Sequence, residues 1–182
     1  MKCTLLGNCQ TLALTKYIEF LEQDIDVMWV HLEAFQHWNL QCFAHMPIRT
    51  CTKDEVSIQR LRESDIIIYQ PIKATTSPTF HPDKLKEYAP HAKFISISSL
   101  VYDKNDMSKW ERMRTRAHRH NIDIPGHIIM KKIADQVVMH QPDHPSALYF
   151  FEVMREICKI TGWDYYTDEQ YQKIWEMKWP YG

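Results

Sequence analysis

The first half of the chain alternates short apolar runs with longer amphipathic segments. Each apolar run has four to six residues and predicts a strand, over Cys3–Leu6, Asp26–His31, Ile66–Tyr69 and Lys93–Ser98. The amphipathic segments predict helices, over Gln10–Gln23, Leu32–Met46, Thr52–Glu63 and Pro82–Tyr88. Strands that alternate with helices favour an α/β fold, here a three-layer sandwich with a mainly parallel sheet.

The pattern changes after Leu100, where helical segments dominate. Ser108–His120 is strongly basic and predicts a helix, and a short apolar run follows over Ile133–Met139. Pro145–Thr161 predicts a helix with Pro145 in its first turn and Gly162 just past its end. With an amphipathic segment over Asp168–Trp179, this indicates a C-terminal helical annex, about residues 146–182, on a single α/β domain spanning 1–182.

Composition and charge narrow the classes of partner. Hydrophobic residues make up 45% of the 182 positions, which is enough for a core, and the formal net charge is −1. A charge near zero gives no global attraction to nucleic acid or to anionic membranes. Five cysteines without paired spacing, no secretory signal and no apolar stretch of about 20 residues predict a cytoplasmic protein with free thiols.

The first predicted strand leads directly into Gly7-Asn8-Cys9-Gln10 at the start of a helix. A strand-to-helix turn of this kind lies at the carboxyl edge of a parallel sheet, where ligands bind. Cys9 would lie at the helix N-terminus, where the backbone N–H groups favour a thiolate nucleophile. The alternative is that Cys9 is a small buried residue under a tight turn. Asn8 and Gln10 would supply donors to an oxyanion.

Two further segments carry candidate catalytic groups. Gln70 ends the strand Ile66–Tyr69, and its amide would reach the same sheet edge as an oxyanion donor, or would simply close a buried strand. Asp143 and His144 precede the late helix, and a carboxylate beside an imidazole is typical of a general base. Alternatively, Asp143 or Ser146 caps the helix, and His140 and His144 are solvent-exposed loop residues. A metal site that included His140 would lack a further ligand at standard spacing, so no metal is expected.

The basic segment holds four cations at helical steps of three and four residues, which are Lys109, Arg112, Arg116 and Arg119. We call these four residues the basic stripe. Arginine side chains on one face match phosphate oxygens. The alternative is an ordinary solvated face.

Together, these motifs resemble a specific family. A strand followed by Gly-Asn-Cys-Gln, a strand ending in Gln70-Pro71, and a late Asp-His-Pro-Ser before a helix are similar to the WcbI-type family of capsular polysaccharide biosynthesis acetyltransferases. The resemblance covers roughly residues 2 to 162. It implies an SGNH-hydrolase-like, flavodoxin-like fold that binds coenzyme A.

The resemblance also implies roles for individual residues. Cys9 occupies the nucleophile position, His144 that of the catalytic histidine, and Gln70 that of an oxyanion-hole amide. The turn has Gly-Asn-Cys where SGNH hydrolases have Gly-Asp-Ser, and Asp143 adjoins His144, so simple ester hydrolysis is less favoured. With coenzyme A as the ligand, Gly7 and the basic stripe are its candidate contacts.

The expected activity is therefore acyl transfer from acetyl-coenzyme A, or a related acyl donor, to a sugar hydroxyl in polysaccharide biosynthesis. The expected partners are this small-molecule donor and a sugar or polysaccharide precursor, without nucleic acid, and a homo-oligomer is compatible with the sequence. Two alternatives stay open. One is an SGNH-like thioesterase or esterase, and the other is a non-catalytic module that binds coenzyme A or a nucleotide.

Overall fold

The structure is a computed structural model, and it describes residues 1–21, 23–30, 50–51, 54–100, 107–133, 139–141 and 144–176. The helix predicted over Leu32–Met46 lies outside these ranges, as do Asp143 and most of the apolar run 133–139. The chain divides into two compact units, Met1–Ser96 and Ile97–Gly182. The organisation as a single domain with a helical annex stays a prediction.

The first unit is built on a parallel sheet. Its strands are β1 (Lys2–Leu6), β2 (Asp26–Val30), β3 (Thr50–Cys51), β4 (Ile66–Tyr69) and β5 (Lys93–Ser96). Its helices are α1 (Cys9–Glu19), α2 (Asp54–Arg62) and α3 (Pro82–Tyr88). Within the described residues the strand order is β3-β2-β1-β4-β5, and all neighbouring pairs are parallel.

Helices cover both faces of this sheet. On one face, Leu6, Val30 and Ile67 pack in a core cluster with Leu61 of α2, Leu85 of α3 and the C-cap of α3, Ala89. Successive strand side chains point to opposite faces. Trp29 therefore points away from that cluster, and its indole reaches Thr11 of α1. The predicted three-layer α/β sandwich with a parallel sheet is confirmed.

Strand β4 shows why the sequence pattern could predict a strand. The run Ile66-Ile67-Ile68 is buried on both faces, and a continuous β-branched run is what such a strand requires. The bounds of β4 and α3 match their predictions. Helix α1 ends at Glu19, with Phe20 as its C-cap, rather than near Gln23 as predicted.

The second unit is mainly helical. It contains α4 (Met107–Arg119), α5 (Gly126–Lys132), α6 (Ala147–Thr161) and α7 (Asp168–Glu176). Strands β6 (Met139–Gln141) and β7 (His144–Pro145) form an antiparallel pair. Gly162 closes α6 in the left-handed conformation, at φ 81°, and its N–H donates to the Cys158 carbonyl at 2.8 Å. This confirms the predicted helix end.

Two local predictions need correction, and one helix was missed. Pro145 does not lie in the first turn of α6, because its pairing with Met139 keeps the chain extended as far as the N-cap, Ser146. Strand β5 ends at Ser96 rather than Ser98, since Ile97 forms an isolated bridge with Ile124 instead. Helix α5 was not predicted, because it is only seven residues long and begins with a glycine.

Candidate functional site

The turn from β1 into α1 is held by a compact set of hydrogen bonds. Asn8 is the N-cap of α1, and its Oδ1 accepts the Gln10 N–H at 2.9 Å. Gly7 adopts φ +155°, and a Cβ at this position would lie 2.6 Å from Gln70 Oε1. Only glycine fits here, because both the backbone angle and the close approach exclude a side chain.

Gln70 follows β4 and lies against this turn with 4% of its surface exposed. Its Oε1 accepts the Asn8 backbone N–H at 2.9 Å. Because a backbone N–H must donate, the accepting atom is the amide oxygen, and the other end of the group is the NH₂. This Nε2 is buried and has no hydrogen-bond partner among the described residues. The turn therefore holds a buried donor group that a ligand oxygen would satisfy.

The topology places these residues where a crevice is expected. From β1 the strand order runs one way to β2 and β3, and the other way to β4 and β5. Ligands of open α/β sheets bind outside the carboxyl ends of the strands at this reversal. Residues 7–10 follow β1, and Gln70 follows β4, so both flank the reversal.

Cys9 differs from the other thiols whose side chains are described. It is the first residue of α1 and is half-buried, whereas Cys3 and Cys158 are buried. Burial raises the pKa of the Cys3 thiol to about 12, against an opposing effect of the Arg60 charge. Burial, followed by the Asp164 charge, raises the pKa of Cys158 to about 11. A nucleophilic thiol has to be accessible and anionic. Of these three thiols, Cys9 is therefore the candidate nucleophile.

Two supporting residues were missed in the sequence. The Thr11 hydroxyl donates to the Asn8 carbonyl at 2.7 Å and accepts from the Trp29 indole N–H at 3.0 Å. Thr11 and Trp29 are fully buried. Their polar groups brace the Asn8 turn from beneath. A tryptophan in a buried strand was the available indication, since its N–H needs a partner inside the protein.

The predicted convergence of His144 and Asp143 with Cys9 is not tested by the structure. His144 begins β7 in the second unit, where its backbone pairs with Gln141. Asp143 lies outside the described residues. The convergence of Cys9 with His144, and the catalytic roles of Asn8, Gln10 and Asp143, stay predictions.

The basic stripe lies on α4 as predicted. Arg112, Arg116 and Arg119 are exposed, and Lys109 is partly buried. The buried face of the helix contains Met113 and Ala117. Coenzyme A binding by the stripe and by Gly7 stays a prediction.

Two negative observations concern the described residues alone. None of their helices is long and apolar enough to cross a membrane. No group of three His, Cys, Asp or Glu side chains among them is placed to hold a metal ion. The expectation that no metal is required stays a prediction.

Comparisons with known proteins support the fold. No family model and no curated protein matches the chain. The structure is similar to that of WcbI, described as a novel polysaccharide biosynthesis enzyme, in a native form without a disulfide bond between CoA and one of its cysteines. The TM-score is 0.65 at 14% identity, over 93% of this chain and 71% of that one. At this identity the likeness shows a common α/β fold and a distant structural relationship.

A second solved structure is an imine reductase from Myxococcus stipitatus, the V8 variant in complex with NAD+. Its TM-score is 0.35 at 14% identity, over 89% of this chain and 62% of that one. At this score the likeness carries no argument about fold or function.

Proposed function

We propose that the chain is an acyltransferase that moves an acetyl or related acyl group from coenzyme A to a sugar hydroxyl in polysaccharide biosynthesis. The fold is shared with WcbI, a polysaccharide biosynthesis enzyme whose structure is described in a form without a disulfide bond between CoA and one of its cysteines. Cys9 is the proposed nucleophile, and Gln70 is the proposed oxyanion donor.

One observation carries the proposal more than any other. The buried Gln70 amide holds its oxygen on the Asn8 N–H and leaves its NH₂ without a partner in the described part of the chain. A buried donor without a partner is unfavourable unless a ligand satisfies it. A thioester carbonyl that becomes an oxyanion is such a ligand, and the half-buried Cys9 thiol lies in the same turn.

The proposed reaction has two steps. The Cys9 thiolate attacks the thioester carbonyl, the oxyanion is held by Gln70 Nε2, and the carbon–sulfur bond to coenzyme A breaks. Coenzyme A leaves as a thiolate and takes up a proton. A sugar hydroxyl then attacks the acyl-Cys9 carbonyl while His144 accepts the hydroxyl proton, and the Cys9 thiolate is released.

The donors in the turn divide into two groups. The backbone N–H groups of Asn8 and Gln10 already donate within the turn, to Gln70 Oε1 and Asn8 Oδ1. These bonds position the turn, so we assign the main electrostatic contribution to Gln70. Asn8 and Gln10 act mainly by holding Cys9 at the start of α1, and Asp143 would orient His144.

A single experiment tests the proposal. The purified protein is incubated with acetyl-coenzyme A, quenched in acid and analysed by intact-mass and peptide mass spectrometry. We expect one acetyl group on the peptide that contains Cys9. Addition of candidate sugars, including nucleotide sugars, should remove this group and give an acetylated sugar.

Matched variants separate the alternatives. Cys9→Ala should lose the adduct, whereas Cys158→Ala should keep it. Free acetate without an acetylated sugar would favour a thioesterase, and a folded protein that leaves acetyl-coenzyme A intact would favour a binding module. Sugar acetylation by a protein that never carries the adduct would assign Cys9 a positioning role.

A further inference from the structure

The second unit contains a groove that the proposed reaction does not use. It has a volume of about 550 Å³ and lies between α4, the turn that follows it and the start of α5. Its polar lining includes Arg114, His118, Asn121 and His127. Its apolar lining includes Ile122 and Ile128. We call it the Arg114 groove.

The groove lies in a strongly cationic part of a nearly neutral chain. None of its described lining residues is acidic. Between residues 107 and 132 the cations are Lys109, Arg112, Arg114, Arg116, Arg119, Lys131 and Lys132, and the acids are Glu111 and Asp123. The whole chain has a formal charge of −1. The local field therefore favours an anion although the chain as a whole does not.

Two side chains of α4 in the groove, Arg114 and His118, are placed to contact two linked anionic groups. Arg114 and His118 are four residues apart and so are neighbours on the helix surface. The guanidinium fork of arginine matches the oxygens of a phosphate. Glu111 pairs with Arg114 at 2.9 Å, but both side chains are more than half exposed. An exposed pair of this kind is weak and would yield to a multiply charged ligand.

His127 adds a buried group to the wall of the groove. Its Nδ1 is buried and has no hydrogen-bond partner among the described residues. The Trp110 ring meets the imidazole edge-on, with 6.2 Å between the ring centroids. Burial, followed by the Arg114 charge, lowers the pKa of His127. The Arg114 side chain, on α4, is therefore close enough to the His127 ring, on α5, for its charge to act there.

We propose that the Arg114 groove is a phosphate-binding site that accepts the pyrophosphate group of a ligand. Arg114 and His118 each contact one phosphate, and the apolar lining accommodates the attached organic part. Pyrophosphate alone, a nucleoside diphosphate and coenzyme A share this chemistry. The proposal does not depend on acyl transfer at Cys9.

The basic stripe is the other candidate contact for phosphates on this helix, so a variant in the stripe provides the comparison that separates the two sites. At about 100° per residue, Arg116 lies on the opposite side of α4 from Arg114. Both residues are exposed arginines, and Arg116 does not line the groove. Arg114→Gln and Arg116→Gln therefore remove the same charge from opposite sides of one helix.

The test is a titration of the full chain with sodium pyrophosphate. Binding is measured by calorimetry and by NMR of the histidine side chains. We expect saturable binding, a shift of the His127 imidazole signals, and about tenfold weaker binding in Arg114→Gln. His118→Gln should weaken binding in the same direction, and Arg116→Gln should change the dissociation constant less than about twofold.

Two outcomes would overturn the site. One is a folded wild-type protein that does not bind pyrophosphate, and the other is an equal loss of affinity in Arg114→Gln and Arg116→Gln. Competition by ADP or by coenzyme A would identify a nucleotide source of the phosphates, and its absence would identify inorganic pyrophosphate. A protein that binds pyrophosphate but transfers no acyl group would contradict the proposed function alone.

Discussion

At the amino ends of the parallel strands, the first unit buries a guanidinium group whose nitrogens all have partners. Arg60 is 7% exposed, and its Nε donates to the Thr4 hydroxyl at 3.2 Å. Its Nη1 lies 2.5 Å from Asp26 Oδ2, and its Nη2 donates to the carbonyls of Asp26 and Cys3. The Ser64 hydroxyl donates to the Arg60 carbonyl at 2.8 Å. We call these residues the Arg60 cluster.

At the carboxyl ends of the same sheet, the turn around Cys9 is arranged differently. Gln70 is as deeply buried as Arg60, but its NH₂ has no partner among the described residues. Cys9 is half-buried, whereas Cys3, beside the Arg60 cluster, is fully buried. A satisfied buried network stabilises a fold, whereas an unsatisfied donor beside an accessible thiol is unfavourable until a ligand binds. The contrast separates a structural polar cluster from a candidate site within one unit.

The largest expected effect is on turnover when the thiol is removed. Cys9→Ala should lower the rate of acyl transfer by about 10³-fold or more, because the proposed nucleophile is lost. Chemical denaturation should show a change in unfolding free energy of less than about 0.5 kcal/mol, since the side chain is half-buried. Retained acyl transfer in this variant would contradict the role of Cys9 as the nucleophile.

The next effect concerns the unsatisfied amide. Gln70→Glu keeps an oxygen for the Asn8 N–H but loses the donor, so we expect kcat to fall by about 10²- to 10³-fold. Gln70→Met loses both ends of the amide and should also destabilise the fold by about 1–3 kcal/mol, because it removes the oxygen that accepts the Asn8 N–H. Steady-state kinetics and urea unfolding measure the two effects. An unchanged kcat in Gln70→Glu would contradict the oxyanion role.

The opposite behaviour is expected in the Arg60 cluster. Arg60→Met removes the guanidinium group that pairs with the Asp26 carboxylate and should lower the unfolding free energy by about 3 kcal/mol. The specific activity of the folded protein should not change. Lys2→Met is the control, since its pair with Glu63 is exposed and should contribute little to stability. A fall in kcat for folded Arg60→Met would show that the two ends of the sheet are coupled.

The smallest effect is a pH dependence. An unfolded thiol loses its proton near its ordinary pKa of about 8.5, whereas burial holds the pKa of native Cys3 at about 12. Between these values the native state binds more protons, so stability falls as pH rises, by about 1.4 kcal/mol per unit for one thiol. Urea unfolding at pH 8, 9 and 10 should show a shallower decline in Cys3→Ala than in the wild type. Equal slopes would mean that Cys3 is not held protonated.

The elements that were predicted well have strong local patterns. Strand β4 has a continuous β-branched run, and α3 begins with a proline at its first turn. The unpredicted helix α5 begins with Gly126, which is a poor helix former. Glycine stands there because a Cβ would lie 2.9 Å from the Tyr149 hydroxyl oxygen. That contact joins residues far apart in the chain, so no local pattern revealed it.

The residues of the candidate site also divide into those that local sequence revealed and those that it did not. The Gly-Asn-Cys-Gln turn and Gln70 were recognised because each follows a strand of a parallel sheet, and such strands end at one edge. Thr11 and Trp29 were missed because their bond to each other crosses from α1 to β2. The relation between Cys9 and His144 stays a prediction, since one belongs to each unit.

By itself, the sequence determined the alternation of strands and helices in the first unit and the glycine that ends α6, because these depend on hydrophobic period and backbone preference within a few residues. Only the tertiary structure decided which end of the Gln70 amide is engaged, which thiols are buried and which side of α4 faces a groove. These properties depend on neighbours distant in sequence, and burial and hydrogen bonding are set by those neighbours.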